Sequence, residues 1–402
     1  MWIYFNMFIF LFTFIVLILL IRKKSKLKTL FFFTLIILLF SINNLLLPFF
    51  NSLSKRIIFT SILLIDLLFL IDLHKNFLKL VEKLKFNIIF QIVFYFIIIT
   101  GMSEGTINML AEKNIIKLYS PLIIISKRNG DDWRMAHIKV DKSKVYDPIL
   151  FWKPTNKYPY NKYSFKGKEF SKIKSNKKRI FFYGDSNTDG QDNLSYPSVF
   201  QRMTESETEI FNAGVTGWSS YQGMKRFLSE YEEWSPDIVF FSFGWNDCAG
   251  AFKVQDKDFN LPPKFMVSIK RFLLNYKFVS FFLESIKKEG PMRKEYIPRV
   301  SKVDYIKNIS EILSICREKN IRLILLTRPY VYDSSFFVSD STFRKFIPEY
   351  NETLLKFAKD NDVEIIDVQK EFEGKTHLFE DECHFNEEGH FNLSEIIYEY
   401  LK

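Results

Sequence analysis

Hydrophobic residues follow two different patterns along this chain, and the change falls near residue 100. Before it they run in four blocks, Ile3 to Ile21, Leu30 to Phe50, Ile57 to Leu73 and Phe86 to Thr100, with charged residues gathered between them. A membrane-spanning helix needs about 20 apolar residues, with about 17 as the usual lower limit. The first two blocks meet that length and the last two are short, the fourth reaching to Leu84 or Met102. The pattern predicts a bundle of about four transmembrane helices over residues 1–102. The chain opens "MWIYFNMF" without a basic start, and its first block ends in "IRKKSKLK" rather than in small residues, so it reads as retained in the membrane and not as a cleaved signal peptide.

Basic residues are asymmetric about these blocks. Arg22, Lys23, Lys24, Lys26 and Lys28 follow the first and Lys75, Lys79, Lys83 and Lys85 follow the third, whereas only Lys55 and Arg56 follow the second. The positive-inside rule then makes the two rich loops cytoplasmic and puts everything after the fourth block outside, periplasmic or extracellular. The expectation is a multi-pass cell-membrane protein with an extracytoplasmic carboxyl-terminal part. Asp66 in the third block marks either a pathway or partner contact or a hydrogen bond inside the bundle. Asn43 and Asn44 carry the same alternatives, and Asp72 can reach the interface beside His74.

Beyond residue 102 the apolar blocks give way to short periodic segments. Residues 103–176 hold short fragments, many aromatics and the breakers Pro148, Pro154 and Pro159, and read as an extended lead-in that packs on the next domain. From residue 177 to 402, strand-like runs (Ile180 to Tyr183, Ile210 to Asn212, Ile238 to Phe243, Ile321 to Thr327, Val363 to Asp367) alternate with helical patterns. The helices are expected near Tyr196 to Thr204, Ser219 to Trp234, Lys264 to Lys288, Val303 to Lys319, Ser341 to Lys359 and Glu387 to Tyr400. Such alternation predicts an α/β domain with a mostly parallel sheet covered on both faces.

The net charge of +10 gathers beside the apolar blocks and in "KIKSNKKR", not on a basic face interleaved with aromatics, which favours a membrane surface over nucleic acid as partner. Cys248, Cys316 and Cys383 are too few and too scattered for a disulfide framework, and no metal constellation or cofactor motif is read from their spacing. Cys248 and Cys383 flank polar clusters and could pair; two separate buried thiols are the plainer alternative.

Ligands of a parallel α/β sheet bind beyond the carboxyl ends of its strands. The first strand ends in "GDSNTDG", the second in "NAGVTG", the third in "GWND", and "DECH" comes after the fifth. A serine hydroxyl becomes a nucleophile when a base takes its proton and a third group fixes that base's tautomer. Ser186, His384 and Asp381 are candidates for those three roles. The oxyanion formed on attack needs donors in place, for which the N–H of Ser186, the N–H of Gly214 and the side-chain amide of Asn246 are candidates.

The order Gly-Asp-Ser, Gly, Gly-x-Asn-Asp, Asp-x-x-His resembles the SGNH hydrolases, or GDSL esterase/lipase family, with Ser186, Gly214, Asn246 and His384 at its blocks. The likeness covers residues 179–402, and "YDPILFWKP…YSFKGKEF" resembles the segment before the catalytic domain of some membrane-tethered bacterial members. It implies a three-layer α/β/α, flavodoxin-like fold and ester chemistry through an acyl-serine. The Gly-x-Ser-x-Gly elbow of α/β-hydrolases is absent, since Thr188 stands at its second glycine.

Several neighbours keep two readings. Asp185 can cap the segment after the strand. His377 and His390 compete with His384, though neither has an Asp three residues before it. Asp247 could be a structural hydrogen-bonder, or a second base or substrate-lining residue. Trp218 and Trp245 could stack on a sugar ring or pack in the core. Arg328 could bind a substrate anion or form an ion pair. The functional expectation is a membrane-anchored serine esterase or O-acyltransferase acting on acetyl esters of cell-surface or cell-wall carbohydrate. The transferase form would need a membrane acyltransferase partner to deliver its donor. A lipid or small-ester esterase is one alternative, and a non-catalytic membrane assembly factor is another.

Overall fold

The computed structural model describes residues 101–402 apart from 102, 106, 115, 122–123, 126–132, 140, 192–193, 252–253, 286–295 and 332–340. The four apolar blocks, with Asn43, Asn44, Asp66 and Asp72, lie outside the described residues. Among the described residues no helix is long and apolar enough to cross a membrane. The chain divides into two compact units, one of residues 1–124 and 269–289 and one of residues 125–268 and 290–402.

The second unit opens with α1 (Trp133–Lys139) and an antiparallel hairpin of β1 (Lys144–Asp147) and β2 (Phe151–Pro154). Next come β3 (Lys178–Gly184), α2 (Ser186–Asp189), α3 (Tyr196–Thr204), β4 (Thr208–Asn212), α4 (Ser220–Trp234), β5 (Ile238–Ser242) and α5 (Trp245–Cys248). Helices α6 (Lys264–Leu273) and α7 (Lys277–Ser285) carry the chain into the first unit, to which α7 belongs. The second unit then closes with α8 (Lys302–Glu318), β6 (Arg322–Leu326), α9 (Ser341–Asp360), β7 (Glu364–Ile366), α10 (Val368–Glu371) and α11 (Glu387–Leu401). Strands pair in the order β4-β3-β5-β6-β7, all parallel, so the chain starts in the sheet, steps one way and then winds back the other. That is the flavodoxin-like order, whose switch point lies between the first and third strands of the sheet, here β3 and β5.

The strands explain the layers. Successive side chains point to opposite faces, and because both faces are covered nearly every position is apolar. Phe181, Tyr183, Phe211, Val239, Phe241, Leu323 and Leu325 form one face, under Met224 and Phe227 of α4, Ile309 and Ile312 of α8 and Leu354 of α9. Ile180, Phe182, Ile210, Phe240, Ile324 and Leu326 form the other, under Tyr196 and Phe200 of α3 and Leu393 and Ile397 of α11.

The lead-in is part of this body. Phe165 meets Phe181, Phe211 and Trp234 edge-on, and Ile138, Phe151 and Trp152 complete the same core. Arg134 of α1, fully buried, pairs with Asp256 at 2.9 Å, and Arg299 pairs with the other oxygen of the same carboxylate. Residues 125–176 fall in the same compact unit as residues 177–268 and 290–402. The single helix expected over Lys264 to Lys288 is two helices, α6 and α7. The reason is local: N–H groups of Asn275 and Tyr276 bond three residues back, and Glu104 accepts from the N–H groups of Lys277 and Phe278, starting a new helix.

Candidate active site

The site is assembled at the carboxyl edge of the sheet. β3 ends at Gly184, paired with Ser242 at the end of β5, so the turns after these strands lie side by side. Asp185 caps α2 by accepting from the N–H of Asn187 at 3.2 Å, and its buried carboxylate also takes Nη2 of Arg328 at 2.8 Å. Ser186 is thereby the first residue of α2, where an N–H has no intrahelical acceptor.

Oγ of Ser186 lies 2.8 Å from Nε2 of His384, and Nδ1 of His384 lies 2.7 Å from Oδ2 of Asp381. Oδ1 of Asp381 accepts from the backbone N–H groups of Cys383 and His384, at 2.9 and 2.8 Å, so the carboxylate is held by its own turn. Partial burial opposes charge on Asp381, but the bonds from His384 and these N–H groups outweigh it and hold the carboxyl below its ordinary 3.8. His384 is raised well above 6.5, by the adjacent Cys383 sulfur and by Asp381 against the opposing effect of burial. Burial raises the Cys383 thiol above 9.0, so Asp381 is the charge that persists beside the imidazole at neutral pH.

Asn187, which the sequence did not single out, braces this arrangement. Its Nδ2 donates to the carbonyl of Cys383 at 2.6 Å and its Oδ1 accepts from the N–H of Phe385 at 3.0 Å. Both bonds straddle His384. The residue beside Ser186 thus fixes the loop that carries His384.

Asp189, at the end of α2, forms a second lock. Its carboxylate accepts from Thr216 N–H and Oγ and from Tyr160 OH, and lies 3.2 Å from Lys166 Nζ and 3.7 Å from Lys144 Nζ. Burial alone would raise this carboxyl; the two lysines and the hydrogen bonds win and lower it. Lysines of the lead-in therefore tie the turn that carries Ser186 to the loop after β4. Nothing in the motifs pointed to Lys144 or Lys166, because their role exists only once the lead-in has folded back.

One of the oxyanion candidates has a partner within the protein. The N–H of Gly214 donates to Oδ1 of Asn212 at 2.9 Å, and the glycine is needed because a Cβ there would stand 2.3 Å from Asp189 N and 2.5 Å from the carbonyl carbon of Thr188. The N–H groups of Ala213, Val215, Thr216, Trp218 and Ser219 are also bonded within the protein. Gly217, at φ +83°, has the one N–H of residues 213–219 without an acceptor among the described residues. It packs against His137 and gives its carbonyl to Arg299. Asn246 lies in the first turn of α5, half-buried at the end of β5, with its amide bonded to no described residue.

The proposed lining residues are placed elsewhere. Trp218 is fully buried and donates to the carbonyl of Trp152, and Trp245 is buried and donates to that of Pro329, so both rings pack inside. Arg328, 2 % exposed, is spent on Asp185 and Ser242 and does not face substrate. Asp247 accepts from Ser220 N–H and Oγ in a buried network with Asn308, and burial raises it to about 7. His390 is buried between Tyr196 and Phe385 and lowered to about 3, which leaves it neutral and remote from proton transfer. All three cysteines are free thiols. The spacing read as carrying no metal set nevertheless brings donor atoms of Asp381, Cys383 and His384 within 4.8 Å of one another.

A serine, its base and an orienting carboxylate at the switch edge of a parallel α/β sheet define a serine acyl-transfer enzyme. Residues 182–390, just over half of the chain, match the sequence profile of the GDSL-like Lipase/Acylhydrolase family. The chain belongs to that family, and it is a serine ester hydrolase by fold, site and kinship. Solved structures it is similar to include an acetyl xylan esterase (18 % identity, TM-score 0.39, covering 56 % of this chain and 100 % of that one). A lipase/acylhydrolase from Enterococcus faecalis is 21 % identical (TM-score 0.38, covering 56 % and 95 %). A variant acetyl-xylooligosaccharide esterase from Geobacillus Stearmophilus is 17 % identical (TM-score 0.37, covering 57 % and 95 %). Among curated proteins none matches the chain.

Proposed function

We propose that this protein is a membrane-attached esterase or O-acyltransferase that acts, through an acyl-Ser186 intermediate, on acetyl esters of cell-surface or cell-wall carbohydrate. The observation that carries the chemistry is the continuous chain from Ser186 Oγ through His384 to Asp381. His384 Nε2 takes the hydroxyl proton as Oγ attacks the ester carbonyl. Asp381 stabilises the imidazolium, and the N–H groups of Ser186 and Gly214 with the amide of Asn246 are the candidate donors to the developing oxyanion. The imidazolium then protonates the departing alkoxide. Water, or a sugar hydroxyl in the transferase form, attacks the acyl-serine with His384 as base again.

Openness favours a polymer-borne acyl group. The side chains of His384 and Asp381 are 42 % and 51 % exposed, which suits an acetyl group presented on a bulky polar chain rather than a long acyl chain that needs enclosure. Membrane attachment is supported by the four apolar blocks and by α6. Phe265, Met266, Ile269, Phe272 and Leu273 form an exposed stripe at helical spacing, in a helix with Lys264, Lys270 and Arg271 and no acidic residue. That composition matches helices that lie in an anionic lipid interface. The intact triad and the family set aside the non-catalytic reading.

Acyl release from acetylated glycans, phospholipids and aryl esters, with and without sugar acceptors, tests the substrate. Acetate release from glycan above that from phospholipid is the expected result, and acetyl transfer to added sugar would assign the acyltransferase form. Preferential release of fatty acid would replace this reading with a lipid esterase.

A further inference from the structure

The loop that carries the catalytic base ends in Asp-Glu-Cys-His, and the mechanism uses the first and last of these residues only. Cys383 has a half-buried thiol whose Sγ lies 3.6 Å from Nδ1 of His384, on the side of the ring that faces Asp381. One donor atom from each of Asp381, Cys383 and His384 falls within 4.8 Å of the others. We propose that these three residues form a site for a thiophilic divalent cation of the Zn2+ class, and that its occupation switches Ser186 off.

The donor set and spacing suit that class of ion. Zinc takes thiolate sulfur at about 2.3 Å and imidazole nitrogen at about 2.0–2.1 Å in tetrahedral geometry, which places the two donors about 3.5 Å apart. The observed 3.6 Å needs almost no adjustment. Oδ2 of Asp381, now bonded to Nδ1 at 2.7 Å, has to open by about 0.6 Å to share a tetrahedral ion with it. Oδ1 remains fixed by two backbone N–H groups, and Asn187 clamps the backbone on either side of His384. Ligands braced from behind in this way keep their orientation. Nitrogen with sulfur favours zinc-like ions over calcium or magnesium, which prefer oxygen alone. Three protein donors leave the fourth position to water.

Inhibition follows from the tautomer. The working base carries its proton on Nδ1, toward Asp381, and presents the Nε2 lone pair to Ser186. A cation on Nδ1 takes that nitrogen's lone pair, so the ring proton moves to Nε2, and the thiol releases its own proton to solvent. Metal bonds form to Sγ, Nδ1 and one Asp381 oxygen. Nε2 is then a donor and cannot accept the serine proton. Because the thiol proton is lost on binding, affinity rises with pH.

Only the inhibition arm rests on the hydrolase reading, so binding is measured separately. Full-length protein in detergent is titrated with Cd2+ and followed by the ultraviolet thiolate-to-cadmium charge-transfer band. The band is expected in the wild type and in Ser186→Ala, and is expected to vanish in Cys383→Ser. Aryl-ester hydrolysis is then titrated with Zn2+, each protein scaled to its own metal-free rate. Loss of a group behind a ligand already lowers metal affinity about 10–100-fold. Loss of the sulfur itself should raise the inhibition constant by at least about tenfold. A band that persists in Cys383→Ser, or equal zinc inhibition of the two proteins, overturns the proposal. An inactive protein that still shows the Cys383-dependent band would defeat the hydrolase reading and leave the metal site standing.

Discussion

His384 sets the pH at which this site works. A general base has to be neutral, and its raised value shifts the rising limb of the kcat/KM profile above the ordinary 6.5, so activity climbs through a single ionisation as pH increases. Replacing Asp381 by Asn should move that limb downward and cut kcat by about 10^3 to 10^4-fold, because the imidazole loses both its charge partner and its tautomer control. A pH–rate profile of both proteins checks this. Asn187→Ala strands the Cys383 carbonyl and the Phe385 N–H, so a loss of about 1–3 kcal/mol is expected in denaturant unfolding, with kcat falling while KM stays nearly constant. An unchanged kcat would mean that the His384 loop holds its place without Asn187. The nucleophile, base and orienting acid were legible because each has to be one of few residue types. The bond from Gly214 N–H to Asn212 and the fit of this glycine against Thr188 and Asp189 were not legible, because sequence shows that a glycine is present, not what its backbone touches.

At the level of elements, sheet and helices follow from periodicity, but their wiring does not. Asp189 of α2 holds the loop after β4 through Thr216 and two buried lysines of the lead-in. Asp189→Asn leaves both ammonium groups without their charge partner, and removing one side of a buried ion pair costs about 3–5 kcal/mol. A matching fall in the urea midpoint is expected, whereas conversion of exposed Glu349, paired with Lys302, should cost less than about 1 kcal/mol. The two tryptophans, beside candidate motifs, and Arg328, at a strand end, kept a substrate-contact reading open beside a packing or ion-pair one. Strand ends alternate between the edge that meets ligand and the layers beneath, and these side chains fall in the layers. The α6–α7 break was equally hidden, since the carboxylate that starts α7 belongs to Glu104, far away in the chain.

For the whole molecule, the lead-in is a working part of the catalytic unit. A chain starting at residue 177 would lose Phe165 and Trp152 from the core, Arg134 from Asp256, and Lys144 and Lys166 from Asp189. It is expected to lack a cooperative unfolding transition and esterase activity, and a truncated domain that unfolds like the full chain would refute the point. The aromatics and breakers of residues 144–170 read as a lead-in that packs on the next domain, while its buried ion pairs from Lys144 and Lys166 to Asp189 could not be read from spacing. The central claim is that Ser186 is a nucleophile activated by His384. It is tested most directly by covalent labelling of folded full-length protein with a serine-reactive fluorophosphonate, read by mass spectrometry of the labelled peptide. The account predicts one label, on Ser186, absent from Ser186→Ala and slowed at least about a hundredfold in His384→Ala. No label on the wild type, or equal labelling of Ser186→Ala, would contradict it.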